Sequence, residues 1–118
     1  MGPKVYFAPG YEFHQERYQV KDQGKVIWYA GGLIDWLNVV SSHRGVDEID
    51  HGQYDRESEV FGVSGTAALY RLSALKQIAF INESGRAEYF DELLMVKYKE
   101  DVDVAYRLQL TGYRALYN

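Results

Sequence analysis

The chain has 118 residues, of which 47% are hydrophobic and 25% charged, and a formal net charge of −4. That length fits one domain, residues 1–118, burying about 65% of its unfolded surface around one modest core, and it excludes a second full domain. The composition excludes a disordered chain, the dispersed acids offer no basic field for nucleic acid or anionic lipid, and no stretch approaches the ~20 apolar residues of a membrane-spanning helix.

Lys4 to Ala8 is rich in β-branched and aromatic residues and stops at Pro9-Gly10, which predicts a first short strand ending in a turn. Asp22-Gln23-Gly24 reads as a turn before Lys25 to Ala30, a second strand closed by Gly31-Gly32, and the two strands suit a hairpin-like excursion. Ser41 to Glu59 is highly charged and aperiodic, so a long polar loop is expected there. Glu59 to Val63 then predicts a strand that runs into Ser64-Gly65-Thr66. Leu69, Leu72, Leu75, Ile78 and Ala79 follow at helical spacing within Ala67 to Phe80.

Asn82 to Ala87 is a second polar interruption, and an apolar patch runs from Tyr89 through Met95 and Val96. Glu100 to Leu110 carries the clearest helical signal. Val104, Ala105 and Leu108 share one face, acids fill the first turn, and Gly112 stands as the C-terminal stop. Tyr113 to Tyr117 closes the chain as a last strand. These elements predict an α/β fold, and a chain that starts and finishes on strands resembles a segment excised from a larger one.

The absence of cysteine excludes disulfides, thiolate catalysis and cysteine-ligated zinc. Met1-Gly2-Pro3-Lys4 lacks the charged-then-apolar pattern of a secretion signal, which predicts a cytoplasmic chain. Eleven tyrosines, five phenylalanines and two tryptophans supply either an aromatic core and rim or the lining of a sugar or base site. His43, Asp47, Glu48, Asp50, His51 and Asp55 could bind zinc or manganese, yet their spacing matches no compact metal motif, so a solvated loop is expected. His14 stands alone in a polar stretch. Ser64-Gly65 lacks the flanking glycines of a nucleophile elbow, and no phosphate-binding glycine loop is present.

The sharpest chemical constellation is Glu100-Asp101-Val102-Asp103, three carboxylates in four residues at the start of a helix. The helix N-terminus favours their ionisation while mutual repulsion opposes it, a balance that can poise a general base for a sugar hydroxyl. The same acids are ordinary helix caps, and Asp103 with Arg107 forms a favourable (i, i+4) pair. Spacing alone leaves catalysis, metal binding and plain capping open.

Seven segments in order carry a resemblance: Gly2-Pro3-Lys4-Val5; Trp28 to Gly32; Asp50-His51-Gly52-Gln53-Tyr54-Asp55; Val63 to Arg71; Phe90-Asp91-Glu92; Tyr98 to Asp103; and Arg107 followed by Gly112-Tyr113-Arg114. Together they resemble family 2 glycosyltransferases, most closely the rhamnosyltransferase-like members that build polysaccharides. The resemblance implies a partial GT-A-type (nucleotide-diphospho-sugar transferase-like) fold, a mixed sheet with helices. It covers the acceptor-side half and lacks the nucleotide-binding half.

By similarity Asp101 is the general base of an inverting transfer, with Glu100 tuning its charge and position. Ser64, Gly65 and Thr66 line the sugar pocket, and Arg107 steadies the carboxylates or forms a surface pair. The acidic cluster should then face a sugar-sized hollow beside the Ser-Gly-Thr turn. The implied partners are a nucleotide-sugar donor and a sugar or lipid-linked acceptor. No metal ligand is expected in this chain, and a divalent cation, Mg or Mn, belongs to the missing half. The isolated chain should therefore transfer sugar negligibly. A non-catalytic, self-associating binding module, with a homodimer as its product, is the alternative.

Overall fold

A computed structural model describes residues 1–91 and 99–118. The apolar patch expected through Met95 and Val96, and Glu92 and Tyr98 of the resembling segments, lie outside them. The described residues form a mixed α/β fold with two α-helices and short antiparallel strand pairs.

Strand β1 (Val5–Tyr6) pairs with β2 (Ile27–Tyr29), as the hairpin-like reading anticipates. β3 (Gly32–Asp35) pairs with β4 (Val40–His43), a hairpin not expected from the sequence. β5 (Ser58–Val60) pairs with β8 (Ala115–Tyr117). After helix α1 (Leu72–Ile78) comes a small hairpin of β6 (Phe80–Ile81) and β7 (Ala87–Glu88), whose turn is the polar Asn82 to Ala87 stretch. Helix α2 spans Glu100–Leu110. Among the described residues the expected mixed sheet is four antiparallel pairs, with a parallel bridge between Gly2 and Tyr117. Further bridges from Val26 to Ile49 and from Gly32 to Gly62 stitch the pairs together.

Helix α2 ends where its sequence says it must. Gly112 takes φ +84°, a left-handed conformation that a side chain would oppose. Its amide bonds the Gln109 carbonyl, and the Tyr113 amide reaches back to Leu108, closing a Schellman motif. Helix α1 is shorter than its periodicity suggests. Ser64 caps a single 3-10 turn over Gly65–Ala67, and the chain then stays extended through Arg71, so the α-helix begins only at Leu72.

The β3–β4 turn lacks the glycine or proline that usually announces one. Asp35 makes it instead. One carboxylate oxygen accepts the amides of Leu37 and Asn38, and the other accepts the Asn38 side chain. Val39 is left at φ +55°, unusual for a β-branched residue and invisible to a turn search based on glycine.

The core gathers Ile27, Ala30, Val60 and Tyr117, flanked by Tyr54 and Ala115. Arg44 crosses its edge. Its guanidinium donates to the Ala30 carbonyl at 2.6 Å and to Ser58 Oγ at 2.9 Å, and lies 4.8 Å from the Tyr117 ring centre and 5.2 Å from that of Tyr54. Helix α1 buries Ala74 and Ile78, and α2, which it contacts, buries Val104 and Ala105.

The expected polar loop is partly structured by charge. Lys4 Nζ sits 2.9 Å from Asp50 Oδ2 and 2.6 Å from Asp55 Oδ1, and the Tyr6 hydroxyl donates to Asp50. Burial pushes the Asp50 carboxyl up. The hydrogen bonds from Tyr6, Lys4 and the Gly52 amide outweigh that and hold it at about 2.

Because this value lies below the ~3.9 of an unfolded aspartate, the stabilisation is complete above about pH 4 and is lost as pH falls towards 2. Lys4→Met should lower unfolding free energy by about 1.5–3 kcal/mol at neutral pH, the range for hydrogen bonds to charged groups. It should also flatten the acid limb of a urea-midpoint against pH curve.

Candidate functional site

The start of α2 meets the Ser64-Gly65-Thr66 turn. Asp101 Oδ2 accepts the Gly65 amide at 3.0 Å and Oδ1 accepts the Val102 amide at 2.8 Å. Glu100 stands on the same side, since a Cβ built on Gly65 would lie 4.0 Å from both Glu100 Oε1 and Asp101 Oδ2. Residues distant in sequence thus place two carboxylates against one turn. Ser64 is buried and turned inward, where its Oγ accepts the Thr66 amide at 3.3 Å and donates to Thr66 Oγ1 at 3.2 Å, while Gly65 and Thr66 are exposed.

Arg107 holds one carboxylate of the acidic cluster. Its guanidinium forks onto Asp103 Oδ2 at 2.9 and 2.7 Å, and donates to the Ile78 carbonyl at 2.8 Å and the Tyr89 carbonyl at 2.5 Å. It ties α2 to the end of α1 and to the segment after β7. The (i, i+4) pair with Asp103 read from the sequence is present.

Beside Asp101 lies a hollow of about 40 Å³, walled by Tyr29, Ser41, His43, Gly62 and Ser64 among others. The space exceeds the minimum that one water needs, so a hydroxyl can enter it beside Asp101. Ser41 and His43, expected in a polar loop, belong instead to strand β4. In a strand their spacing of two puts both on one face, and that alternation is the available signal. Lys99, at φ +87° just before α2, closes the corner by donating from Nζ to Ser41 Oγ at 2.5 Å.

Two phenols sense the carboxylates. Burial pushes the Tyr70 hydroxyl up to about 12, with the Asp101 and Glu100 charges adding to it. Burial also raises Tyr29 to about 12, against the backbone hydrogen bonds that lower it and with a contribution from Asp101. Both remain O–H donors across the physiological range, and Tyr29 spends its proton on the Gly62 carbonyl at 2.6 Å. Among the described residues no three histidine or carboxylate side chains stand close enough to hold a metal ion, and none of the helices described is long and apolar enough to cross a membrane.

A larger groove of about 690 Å³ runs along α2, lined by Val63, Tyr70, Ala105, Leu108 and Leu116 among others. Its lip carries Leu69, 72% exposed.

Helix α2 reaches the turn only because Gly62 has no side chain, as a Cβ there would lie 2.7 Å from Ala105 Cβ. Gly62→Val should therefore displace the helix at a cost of about 1–3 kcal/mol, and the Gly65 amide proton should lose its downfield hydrogen-bonded position in NMR spectra. Asp101→Asn, whose side chain can accept only one of the two amides, should cost about 1–3 kcal/mol and lower the Tyr70 titration midpoint, followed by carbon-13 resonances of labelled tyrosine. No family model, no curated protein and no solved structure matches this chain.

Proposed function

We propose that this chain is the acceptor-side, catalytic-base half of an inverting, nucleotide-sugar-dependent glycosyltransferase of GT-A type, with Asp101 as the general base. One observation supports this above the rest: the Asp101 carboxylate is seated on the Gly65 amide, 3.0 Å away, beside a small hollow. In the reaction an acceptor hydroxyl oxygen bonds to the anomeric carbon of the donor sugar as the bond to the diphosphate breaks. The hydroxyl proton passes to Asp101, and the bonding pair leaves with the diphosphate. General-base assistance of this kind contributes typically about 10²–10⁴-fold.

The two backbone amides on Asp101 fix the direction from which that proton is taken. Glu100, on the same side of Gly65, adds negative potential that draws a hydroxyl proton inward. The acceptor ring lies across the mouth of the hollow with its hydroxyl groups directed inward. The described residues gather no ligand set for a divalent cation, so no step is routed through one. Neutralising the departing diphosphate falls to the nucleotide-binding half.

The accessible surface supports the reading of a half. At 8118 Å² it exceeds the roughly 6,600 Å² of a compact monomer of this mass. The Cα radius of gyration, 16.1 Å, likewise exceeds the about 13.5 Å of a compact domain of this length. The excess is roughly twice the ~800 Å² that each partner buries in a standard interface. The same excess, with the apolar groove along α2, favours the second reading, a module that associates with its own copy through that groove.

The isolated chain should transfer no detectable sugar from nucleotide-sugar donors. A panel of methyl glycosides should nevertheless move the Gly65 and Val102 amide resonances, and Asp101→Asn should abolish the movement. If no glycoside moves either resonance, the transferase reading falls. Sedimentation across concentration should show a dimer that Leu69→Glu returns to monomer if the self-associating reading holds, and a monomer at every concentration excludes it.

A further inference from the structure

His43 is a polar group on the hollow that the proposed chemistry leaves unused. Its ring is held edge-on by two aromatics, with centres 4.6 Å from the Trp28 ring and 5.1 Å from Tyr29. Nδ1 lies 3.3 Å from the Trp28 carbonyl oxygen. A carbonyl can only accept, so the proton of this contact sits on Nδ1, and a singly protonated ring then presents Nε2 as an acceptor. No described residue donates to Nε2. The ring is thus fixed in place and in tautomer, with its remaining acceptor on a ring that walls the Asp101 hollow.

Two acceptor-bearing side chains of different origin line the hollow, Asp101 from α2 and His43 from β4. A lone hydroxyl has one proton and can satisfy only one of them. A vicinal diol has two, on oxygens that neighbouring ring carbons keep close together. We propose that His43 is a specificity-determining residue that selects acceptors carrying a vicinal diol, one hydroxyl donating to Asp101 and its neighbour to His43 Nε2; this rests on the reading of Asp101 as the base. His43 takes no proton from the attacking oxygen. It fixes which hydroxyl of the pair faces the carboxylate, because an analogue lacking the second hydroxyl leaves a wall acceptor unpaired.

The test uses small probes on the full chain: cis- and trans-1,2-cyclohexanediol and cyclohexanol, titrated while the Gly65 amide and the His43 ring nitrogens are followed by NMR. One diol isomer should move Gly65 and His43 Nε2 together and bind about three- to tenfold more tightly than cyclohexanol, the worth of one net hydrogen bond. His43→Asn, whose amide keeps the donor to Trp28 but has no atom at Nε2, should erase the preference and keep the cyclohexanol response at Gly65. His43→Gln, whose side-chain oxygen can reach the Nε2 position, should restore part of it.

A wild-type protein that binds diols and cyclohexanol equally overturns the role of His43 while leaving the hollow intact. So does an unchanged preference in His43→Asn. A Gly65 amide that answers to no probe overturns the reading of the hollow itself, and the role of His43 falls with it.

Discussion

Everything at the candidate site depends on the close approach of helix α2 to Gly62. The Gly62 carbonyl accepts both the Gly32 amide, at 3.1 Å, and the Tyr29 hydroxyl, at 2.6 Å, so β2, β3 and the run-out of β5 converge on one peptide group. Ala105 of α2 then seats over the same glycine, and Gln109 fastens the neighbouring Phe61 carbonyl at 2.9 Å. With the helix pinned at those two points, its first turn has one direction left to point. That direction brings Asp101 onto Gly65.

Around this contact the fold is held by charged side chains as much as by its modest core. Lys4 clamps the 50–55 segment to β1, Arg44 joins the end of β2 to β5 and two aromatic rings, and Arg107 joins α2 to α1 and the Tyr89 carbonyl. Each cation is matched to carboxylates, carbonyls or aromatic faces. That pairing is what makes their partial burial tolerable. Chains with short strands and a surface larger than their mass requires have little apolar area to spend. Directional polar clamps supply the geometry that a larger core would otherwise impose.

The site combines elements of unequal visibility. The acids of α2 and the Ser-Gly-Thr turn stand out in the sequence, and so does the Asp103–Arg107 pair. The β4 wall did not, because Val40-Ser41-Ser42-His43 lacks the apolar alternation of a half-buried strand. Its partner turn also uses an aspartate and a left-handed valine in place of glycine. Arg107 was visible as a cation near carboxylates, but its bonds to the Ile78 and Tyr89 carbonyls, 29 and 18 residues away, depend on how the helices cross.

By itself the sequence determined α2 and its two ends, the strand pair β1–β2, and the concentration of carboxylates at one helix start. Those features follow from period, capping and turn chemistry within a few residues of one another. Only the tertiary structure decided that the acids meet Gly65 and that His43 and Ser41 line the same small hollow as Asp101. Contacts of that kind join residues 36 and 58 positions apart, as Asp101 with Gly65 and Lys99 with Ser41 show. They depend on the missing side chain of Gly62, which shapes its surroundings only once another part of the chain is packed against it.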